Sequence, residues 1–337
     1  MSIIIIGLGA AGRHYLKLLK HVEKNVFVLD KKKIHSNRSY KLISFNEIIK
    51  ENIKFDYAII ASPSGLHYEH ASFFLKRGSN VLIEKPFVLK LSHAKSLISL
   101  SKKHKVKCWT SLQNRYNLAT SHLNKEIKEK TIGEIVMVDC TMIWSRSKKY
   151  YSTAWRGNYK TDGGVLTNQA IHLLDTLLYN FGEISSFNAI ASFNKKKLDA
   201  EDLIAINFKH KNGTLSNFKA TTRADNDYRS AIDVIGTNGR IIVKGISLNT
   251  FNKFKKKKLI NFKRYSEQFK LGIGPISGMG FGHKKLLYEF LNKNKSSKDL
   301  EIEKNYYLLK VIHSVYNSLF KTKKIDFIKD TNSLLGK

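Results

Sequence analysis

A short apolar run followed by a glycine-rich turn opens this chain and limits its fold more than any other feature. The run at Ser2–Ile6 is typical of a strand buried on both faces of a parallel sheet, and it leads directly into Gly7-Leu8-Gly9-Ala10-Ala11-Gly12. A helical pattern follows from Ala11 to His21, and Asp30 comes at the end of the next predicted strand, Val26–Leu29. Strand, glycine turn, helix and acid in this order are the fingerprint of a dinucleotide-binding βαβ unit.

Each residue of this fingerprint has a physical task. Gly7 allows the tight turn, Gly9 lets the backbone approach a pyrophosphate, and Gly12 lets the helix pack closely on the strand. The helix N-terminus offers amide donors and a partial positive charge to the anion. Asp30 would accept hydrogen bonds from the adenine ribose and repel a 2′-phosphate, which favours NAD over NADP. Lys31–Lys33 follow at once and can tolerate that phosphate, so NADP stays open as the less favoured cofactor.

The alternation of strands and helices divides the 337 residues into two predicted domains. Residues 1–118 alternate between the two, which predicts an α/β Rossmann domain with a doubly wound parallel sheet. Further strands are predicted there at Asp56–Ala61, Asn80–Ile83 and Lys107–Ser111, with helices at Leu66–Lys76 and Ser92–His104.

Consecutive strands dominate the second segment, residues 119–337, and predict an α+β domain with a large, open, mainly antiparallel sheet. Its predicted strands are Glu134–Trp144, Ser186–Ser192, Asp202–Lys209, Thr214–Thr222, Ala231–Gly236 and Arg240–Val243, with hairpin turns at Asn212-Gly213 and Asn238-Gly239. The predicted helices are Ala119–Glu129, Leu166–Tyr179, Lys284–Asn292 and Lys304–Lys321, and Gly272–Gly282 is predicted to be a loop.

The net charge of +32 has two explanations. The favoured one is a composition rich in Lys, Ile and Asn, whose codons are A/T-rich, with the lysines on solvated faces. The other is a basic surface that attracts a phosphorylated small molecule. No nucleic-acid-binding module is recognisable, so we expect no nucleic-acid partner. The two cysteines, Cys108 and Cys140, lack metal-ligand spacing, so we expect no metal and a reducing cytoplasm. No signal peptide or membrane span is expected, since no apolar run is long enough.

Two further segments carry candidate catalytic groups. Glu84-Lys85-Pro86 follows the predicted strand ending at Ile83, and ligands of doubly wound sheets bind at the carboxyl ends of strands. The predicted helix after Asp162-Gly163-Gly164 has an apolar stripe, and its other side carries Asn168, His172, Asp175 and Thr176. Taken alone, this polar face is more simply a solvated surface.

The ordered combination of these motifs resembles the Gfo/Idh/MocA oxidoreductases, which include glucose–fructose oxidoreductase and inositol dehydrogenase. The resemblance covers nearly the whole chain and rests on GLGAAG at 7–12, ASPSGLH at 61–67, EKP at 84–86, QNRYN at 113–117, WRG at 155–157 and GGVLTNQAIH at 163–172. It implies a Rossmann domain followed by a domain with a large open sheet. It also implies a nicotinamide cofactor, a sugar, inositol or sugar-nucleotide substrate, and a homodimer or homotetramer.

The resemblance assigns roles to residues of this chain. It implies that Lys85 is the catalytic lysine and that His172 is the acid/base. Asn168 stands where many sugar and inositol dehydrogenases have aspartate, which weakens a carboxylate–histidine proton relay at this position, because an amide cannot be the base. The Asn168-Gln169 form resembles sugar-nucleotide 3-dehydrogenases of surface-polysaccharide pathways. The residues expected to bind the cofactor are Gly7, Gly9, Ala11, Gly12, Asp30, Ser62, Pro63, His67, Glu84, Lys85, Gln113 and Trp155, and those expected to bind substrate are Asn168, Arg156 and Tyr116.

Weaker candidates surround these positions. Arg115 and Asn117 are expected to line the site, and Asp175 is expected to be a helix partner. Four further side chains are possible anion ligands, namely Arg146, Tyr150, Lys160 and Arg223.

The expected function is transfer of a hydride between nicotinamide and a secondary alcohol of a sugar or sugar nucleotide. His172 suits the proton acceptor because its unperturbed pKa lies near neutrality, and a Lys85 ammonium group would stabilise the developing alkoxide. An inositol or polyol dehydrogenase and a keto-sugar reductase are the alternatives within the same class. A non-catalytic dinucleotide-binding sensor is the alternative of another class, and it would need neither Lys85 nor His172.

Overall fold

A computed structural model of the chain describes residues 1–20, 25–31, 40–153, 155–193, 198–256, 258–264, 282–292 and 298–319. The strands of this part are β1 Ser2–Ile6, β2 Asn25–Leu29, β3 Lys41–Leu42, β4 Tyr57–Ile60, β5 Asn80–Ile83, β6 Cys108–Thr110, β7 Ile135–Ile143, β8 Ile184–Ser192, β9 Leu203–His210, β10 Leu215–Thr221, β11 Arg229–Gly236, β12 Gly239–Lys244, β13 Thr250–Lys255 and β14 Lys258–Arg264. The α-helices are α1 Ala10–Leu19, α2 Phe45–Lys50, α3 His67–Lys76, α4 Leu91–His104, α5 Leu118–Lys128, α6 Lys148–Tyr151, α7 Val165–Asn168, α8 Ile171–Phe181, α9 Gly282–Leu291 and α10 Ile302–Leu319.

The first sheet is parallel throughout and has the strand order β3-β2-β1-β4-β5-β6. Its strands are apolar on both faces because each face meets a layer of helices. Ile3 and Ile5 pack into one hydrophobic cluster, while Ile4 and Ile6 pack into the other. The predicted doubly wound Rossmann sheet is therefore confirmed, and its strand order reverses between β1 and β4, where such sheets bind their ligands.

The second sheet has the order β14-β13-β12-β11-β7-β10-β9-β8. Only the β7–β10 pair of these strands is parallel, so the predicted mainly antiparallel sheet is confirmed. Its covered face buries Val138, Phe218 and Val234 in the same cluster as Leu123 of α5 and Leu174 of α8. Alternate residues of each strand face the opposite side.

The last two helices return to the first sheet. Phe290 of α9 packs against Tyr57 and Trp109, with ring centroids 5.3 and 5.7 Å apart, and the Tyr57 hydroxyl donates to the Leu291 carbonyl at 3.0 Å. Helix α10 contacts α4 and β6 of the first domain and β8 of the second sheet. The segment after residue 118 therefore supplies part of the layer around the first sheet. No helix of the described residues is long and apolar enough to cross a membrane.

The helix expected over 166–179 is the main departure from the sequence prediction. It is two helices, α7 and α8, because the Ala170 N–H bonds to the carbonyl of Val165, five residues back, at 2.8 Å. This wider turn ends the regular i to i−4 ladder. Asn168 and His172 therefore belong to different helices.

Five other elements were not predicted, namely β3, α2, α6, β13 and β14. Strand β3 and helix α2 are too short to give a clear periodic pattern. The β13–β14 hairpin is so rich in lysine that its sequence is typical of a solvent-exposed loop. Lysines are common on edge strands because they discourage pairing with other chains. The predicted loop at Gly272–Gly282 lies outside the described residues, apart from Gly282 at the start of α9.

Candidate active site

The glycine turn after β1 has the shape that its sequence predicts. Gly7 has a φ of +93°, and a Cβ atom there would lie 2.7 Å from the Ala61 carbonyl oxygen. A Cβ at Gly12 would lie 1.9 Å from the Gly7 oxygen, so any side chain would separate the turn from α1. A Cβ at Gly9 would meet nothing within 4 Å. Gly7 and Gly12 are thus required by packing, whereas the space beside Gly9 is open to a ligand.

Asp30 lies at the rim of this turn, at the end of β2. Its Oδ2 accepts a hydrogen bond from the Leu8 N–H at 2.6 Å. The Leu8 carbonyl accepts from the Arg13 guanidinium, also at 2.6 Å. An open glycine, the N-terminus of α1 and an acid after the second strand are the donor and acceptor set that a dinucleotide requires, so these residues fit one.

His67 connects the loops that follow β4 and β5. Its Nδ1 lies 2.8 Å from the Pro86 carbonyl and its Nε2 lies 2.8 Å from the Ser62 carbonyl, while only 1% of the residue is exposed. Burial lowers the pKa of His67 to about 4, against the raising effect of the two carbonyls, whereas two carbonyl acceptors at 2.8 Å suit a ring that donates from both nitrogens. Both ring nitrogens face main-chain oxygens, so the side chain joins the two loops, and its expected contact with the cofactor stays a prediction.

Glu84 also forms a hydrogen bond inside the first domain. Its Oε1 accepts from the Tyr15 hydroxyl at 2.8 Å, and that hydroxyl lies 2.9 Å from Ser111 Oγ. Burial raises the pKa of Glu84 against the opposing attraction of Lys85. The carboxylate is therefore buried beside Lys85 and bonded to Tyr15, and its expected contact with the cofactor stays a prediction.

Lys85 reaches across to the second domain. Its ammonium group donates to the main-chain oxygen of Asn168 at 2.5 Å and lies 3.4 Å from Asn168 Oδ1. Burial lowers the pKa of Lys85; Glu84 and Asp162 raise it, and two arginines add a smaller lowering effect. Lys85 and Asn168, separated by 83 residues, are thus in direct contact.

His172 approaches the same region from α8. Its Nε2 lies 3.2 Å from Gln113 Nε2, just after β6, and Nδ1 is buried without a hydrogen-bond partner in the described part of the chain. Burial, then Lys85 and His283, lowers the pKa of His172 well below its usual value. The imidazole is therefore neutral at physiological pH.

Two residues of this region had no assigned role in the sequence analysis. Asp162 is 1% exposed, and its Oδ2 accepts from Asn168 Nδ2 at 2.5 Å. His283, from the first turn of α9, has its Nε2 3.9 Å from Glu84 Oε1. The position of Asp162 directly before Gly163-Gly164 was the available signal, whereas His283 follows a glycine-rich segment with no recognisable motif.

Cationic side chains surround Tyr150 beside this cluster. The Arg156 guanidinium lies 3.9 Å from the Tyr150 ring centroid and 4.5 Å from that of Trp155. Arg146 lies 5.6 Å from the same tyrosine ring, and the Tyr150 hydroxyl accepts from Gln169 at 3.1 Å. Trp155 and Arg156 are thus brought together with Gln169, the neighbour of Asn168.

Several sequence candidates lie elsewhere. The Tyr116 hydroxyl donates to Glu289 of α9 at 2.6 Å, and its expected substrate contact stays a prediction. Arg115 forms a buried ion pair with Asp175, as expected of a helix partner, so Arg115 is not left facing the site. Two of the remaining weaker candidates are hydrogen-bonded to other residues: Arg223 donates to Asp202 at 2.7 Å, and Asn117 donates to the Ser247 carbonyl at 3.1 Å. The third, Lys160, is exposed to solvent.

A parallel sheet of this strand order with a glycine turn at its switch point defines the Rossmann class of dinucleotide-binding proteins. Residues 1–112 match the Gfo/Idh/MocA domain described as "Oxidoreductase family, NAD-binding Rossmann fold", and residues 120–242 match the "GFO/IDH/MocA C-terminal domain". The chain belongs to the Gfo/Idh/MocA family of oxidoreductases, and its first domain is the family's NAD-binding domain.

Individual relatives are distant. An uncharacterised Synechocystis oxidoreductase, sll0816, is 23% identical over 57% of this chain and 55% of its own length. The myo-inositol 2-dehydrogenase of Thermotoga maritima is 24% identical over 74% of this chain and 77% of its own length. Among solved structures, the WlbA dehydrogenase from Bordetella pertussis, in complex with NADH and UDP-GlcNAcA, has a TM-score of 0.79 at 20% identity and covers 98% of this chain and 99% of its own. At 20% sequence identity, the similarity to this dehydrogenase structure shows a shared fold and does not show a shared substrate.

Proposed function

We propose that this protein is an NAD-dependent dehydrogenase that oxidises a secondary alcohol of a sugar or sugar nucleotide, with surface-polysaccharide sugar synthesis as its setting. The observation that carries the proposal is the proximity of Lys85, in the loop after β5, to His172 of α8, whose pKa the Lys85 charge helps to lower. Lys85 contacts Asn168 from the loop after β5, and His172 contacts Gln113 from the loop after β6. A protein that only binds a dinucleotide needs no such pair.

The two side chains divide the chemistry of alcohol oxidation. When bound, NAD⁺ supplies the acceptor for the hydride that leaves the carbinol carbon. Neutral His172 takes the hydroxyl proton, and a substrate hydroxyl reaches its Nε2 by displacing the Gln113 amide. The Lys85 ammonium group donates a hydrogen bond to the oxygen as its negative charge develops. The carbinol thus loses one hydride and one proton and becomes a ketone, and a keto-sugar reductase would run the same steps in reverse.

The charge around the site favours an anionic substrate. Arg156 stacks on Tyr150 and Trp155 and has no ion-pair partner among the residues that the structure describes. Arg146 lies near the same ring and is paired with Asp227 at 3.3 Å. A diphosphate or a sugar carboxylate would satisfy the Arg156 guanidinium, whereas an inositol has no charge to offer it. This supports a sugar nucleotide or acidic sugar ahead of an inositol or polyol.

Initial rates of NADH formation on UDP-sugars, free uronates and inositols would test this function, with NAD⁺ and NADP⁺ compared in parallel. We expect turnover on an anionic sugar and a lower KM for NAD⁺ than for NADP⁺, because Asp30 opposes a 2′-phosphate. Turnover only on inositols would favour the polyol alternative. Silence on every substrate, with NADH still bound, would favour the sensor, and a clear preference for NADP⁺ would contradict the cofactor assignment.

Arg156→Gln tests the anionic subsite directly. The variant should raise KM for a charged sugar about 10-fold or more, because a charge-assisted hydrogen bond is lost, and should change KM for a neutral polyol little. Lys149→Gln, at an exposed position on α6, is the control of equal charge. Equal effects of Arg156→Gln on charged and neutral substrates would remove the argument for an anion.

A further inference from the structure

We propose that Asp162 is a positioning residue of this active site: it fixes the side chain of Asn168 and, through it, the ammonium group of Lys85. Asparagine at 168 weakens a carboxylate–histidine proton relay at that position, because an amide cannot be the base. In the structure, the carboxylate of Asp162 accepts a hydrogen bond from the Asn168 side chain, and the oxygen of that side chain faces Lys85. The inference rests on the proposed function only for the catalytic role of Lys85.

Asp162 is held by groups from separate parts of the chain. Its Oδ2 accepts from Asn168 Nδ2 at 2.5 Å and faces the Gly157 N–H at 3.4 Å, and its Oδ1 faces Ser64 Oγ at 3.4 Å. Ser64 follows β4 in the first domain, whereas Gly157 and Asn168 belong to the second segment of the chain. The carboxylate therefore lies where the two domains meet, and every one of these partners is a donor to it.

The direction of these bonds gives Asn168 a single orientation. An amide donates through nitrogen and accepts through oxygen, and an ionised carboxylate only accepts. Because Asp162 takes the amide nitrogen of Asn168, the amide oxygen must point away from Asp162, and it faces Lys85 Nζ at 3.4 Å. Rotating the amide would set its oxygen against the carboxylate and its NH₂ group against the ammonium ion. A neutral side chain at 162 would lose this constraint.

The charge of Asp162 also favours the ammonium form of Lys85. Burial raises the pKa of Asp162 and lowers that of Lys85, and each charge opposes the shift of the other. The charged groups acting on Lys85 are Glu84 and Asp162, which favour the ammonium form, and Arg156 and Arg146, which oppose it. Without the Asp162 charge, Glu84 would be the one carboxylate of this set that favours the ammonium form.

Asp162→Asn tests the proposal because it keeps the shape and removes the charge. We expect the midpoint of Lys85 acetylation, followed by mass spectrometry against pH, to fall by about one pH unit. The alkaline limb of kcat should move to lower pH by a similar amount, and kcat should fall about 10-fold with little change in NADH affinity. Asp199→Asn is the matched control. Asp199 accepts a hydrogen bond from Asn158, which lies in the same turn as Asp162, but Asp199 is exposed.

A double variant that exchanges the side chains at 162 and 168 completes the test. Its interpretation does not require Asp162→Asn to fold. Asn168→Asp alone would place two carboxylates side by side, so we expect loss of thermal stability and of activity. Asp162→Asn/Asn168→Asp reverses the hydrogen bond and restores one carboxylate, so it should be more stable and more active than Asn168→Asp alone. Its Lys85 midpoint should also return to within about half a pH unit of the natural protein.

The outcomes separate this inference from the proposed function. An unchanged Lys85 midpoint in Asp162→Asn would overturn the role of Asp162, as would a swapped variant no better than Asn168→Asp. A wild type that oxidises no sugar would defeat the proposed function, yet the acetylation and stability measurements would still decide the role of Asp162.

Discussion

Asn168 is the residue on which most of the site depends. Its main-chain and side-chain oxygens both face Lys85, and its side-chain nitrogen is bonded to Asp162. The residue is only 9% exposed, so little of it faces solvent. Its identity was visible in the sequence, but its partners were not, because Asp162 and Lys85 reach it through the fold. Asparagine at 168 cannot act as the base itself, but its side chain is bonded to the carboxylate of Asp162.

The strongest prediction for single residues concerns Lys85 and His172. Lys85→Ala and His172→Ala should each lower turnover by ~10²-fold or more, because one removes the donor to the alkoxide and the other the proton acceptor. NADH affinity, measured by fluorescence titration, should stay nearly unchanged. Lys90→Ala, at an exposed position of the loop that begins at Glu84, is the control. Turnover within a factor of a few of the natural protein would refute the role of the residue concerned.

The environment of His172 makes a prediction about pH. Its pKa is lowered well below 6.5 by burial and by the charges of Lys85 and His283, so the neutral, proton-accepting form persists into acidic solution. The acidic limb of kcat/KM for alcohol oxidation should thus fall below pH 6.5. The measurement is the initial rate from about pH 5 to about pH 9 in buffers of constant ionic strength. An acidic limb above the ordinary histidine value would exclude His172 as the titrating base.

At the scale of elements, the interruption between α7 and α8 builds the site. A regular helix over 166–179 would carry Asn168 and His172 on one continuous face, as the periodicity suggests. The wider turn at Ala170 ends α7 at Asn168, whose carbonyl oxygen accepts from Lys85. Glu201 holds the start of α7, where its Oε1 accepts from the Leu166 N–H at 2.9 Å and from the Tyr316 hydroxyl at 3.0 Å. None of these bonds has a local sequence signal.

Glu201 also gives α7 a dependence on pH. Burial raises its pKa from 4.5 to about 7. The native state therefore keeps a proton that the unfolded chain has released, so this contribution to stability is complete below pH 4.5 and is lost as the pH rises through 7. Between about pH 5 and about pH 8 the natural protein should lose more thermal stability than Glu201→Gln, by on the order of 3 kcal/mol at most.

Thermal unfolding of both proteins at the two pH values makes this comparison. Glu129→Gln, on the exposed end of α5, serves as its control. Identical pH profiles for Glu201→Gln and the natural protein would show that Glu201 titrates normally.

At the scale of the whole molecule, the second sheet leaves one face without a covering helix among the described residues. Leu215, Met137 and Ile235 are neighbours in one row of that face, in register across β10, β7 and β11. Leu215 is 55% exposed and Ile235 is 37% exposed. The next row of this face carries Asn217, Asp139 and Asp233, so an exposed apolar row adjoins a polar one, as the core and rim of a protein interface do. We propose that a second copy of the chain covers it, in a homodimer or homotetramer.

Leu215→Asp should weaken this association, because the interface would have to bury an unpaired charge. Light scattering should give a mass that is a multiple of 38.6 kDa for the natural protein and a lower mass for the variant. Ile49→Asp, at an equally exposed position on α2 (55%), should leave the mass unchanged. A natural protein that is monomeric at every accessible concentration would contradict the proposal.

The sequence by itself determined the parts that depend on near neighbours. The glycine turn, the strand and helix periods of the first domain and the hairpin at Asn238-Gly239 follow from local sterics and from the burial of alternating side chains, and the structure confirms each. The order of motifs also sufficed to identify the family. Lys85 was placed at the edge of the sheet because it follows β5, which is again a local argument.

Only the tertiary structure decided which polar groups meet. It joined Lys85, Asn168 and Asp162, enclosed Glu84 and His67, and turned Tyr116 towards Glu289. The physical reason is that a buried polar group must find a hydrogen-bond partner, wherever in the chain that partner lies. A motif shows that a residue is present, whereas the packing of two domains decides whether its side chain faces a ligand or another residue.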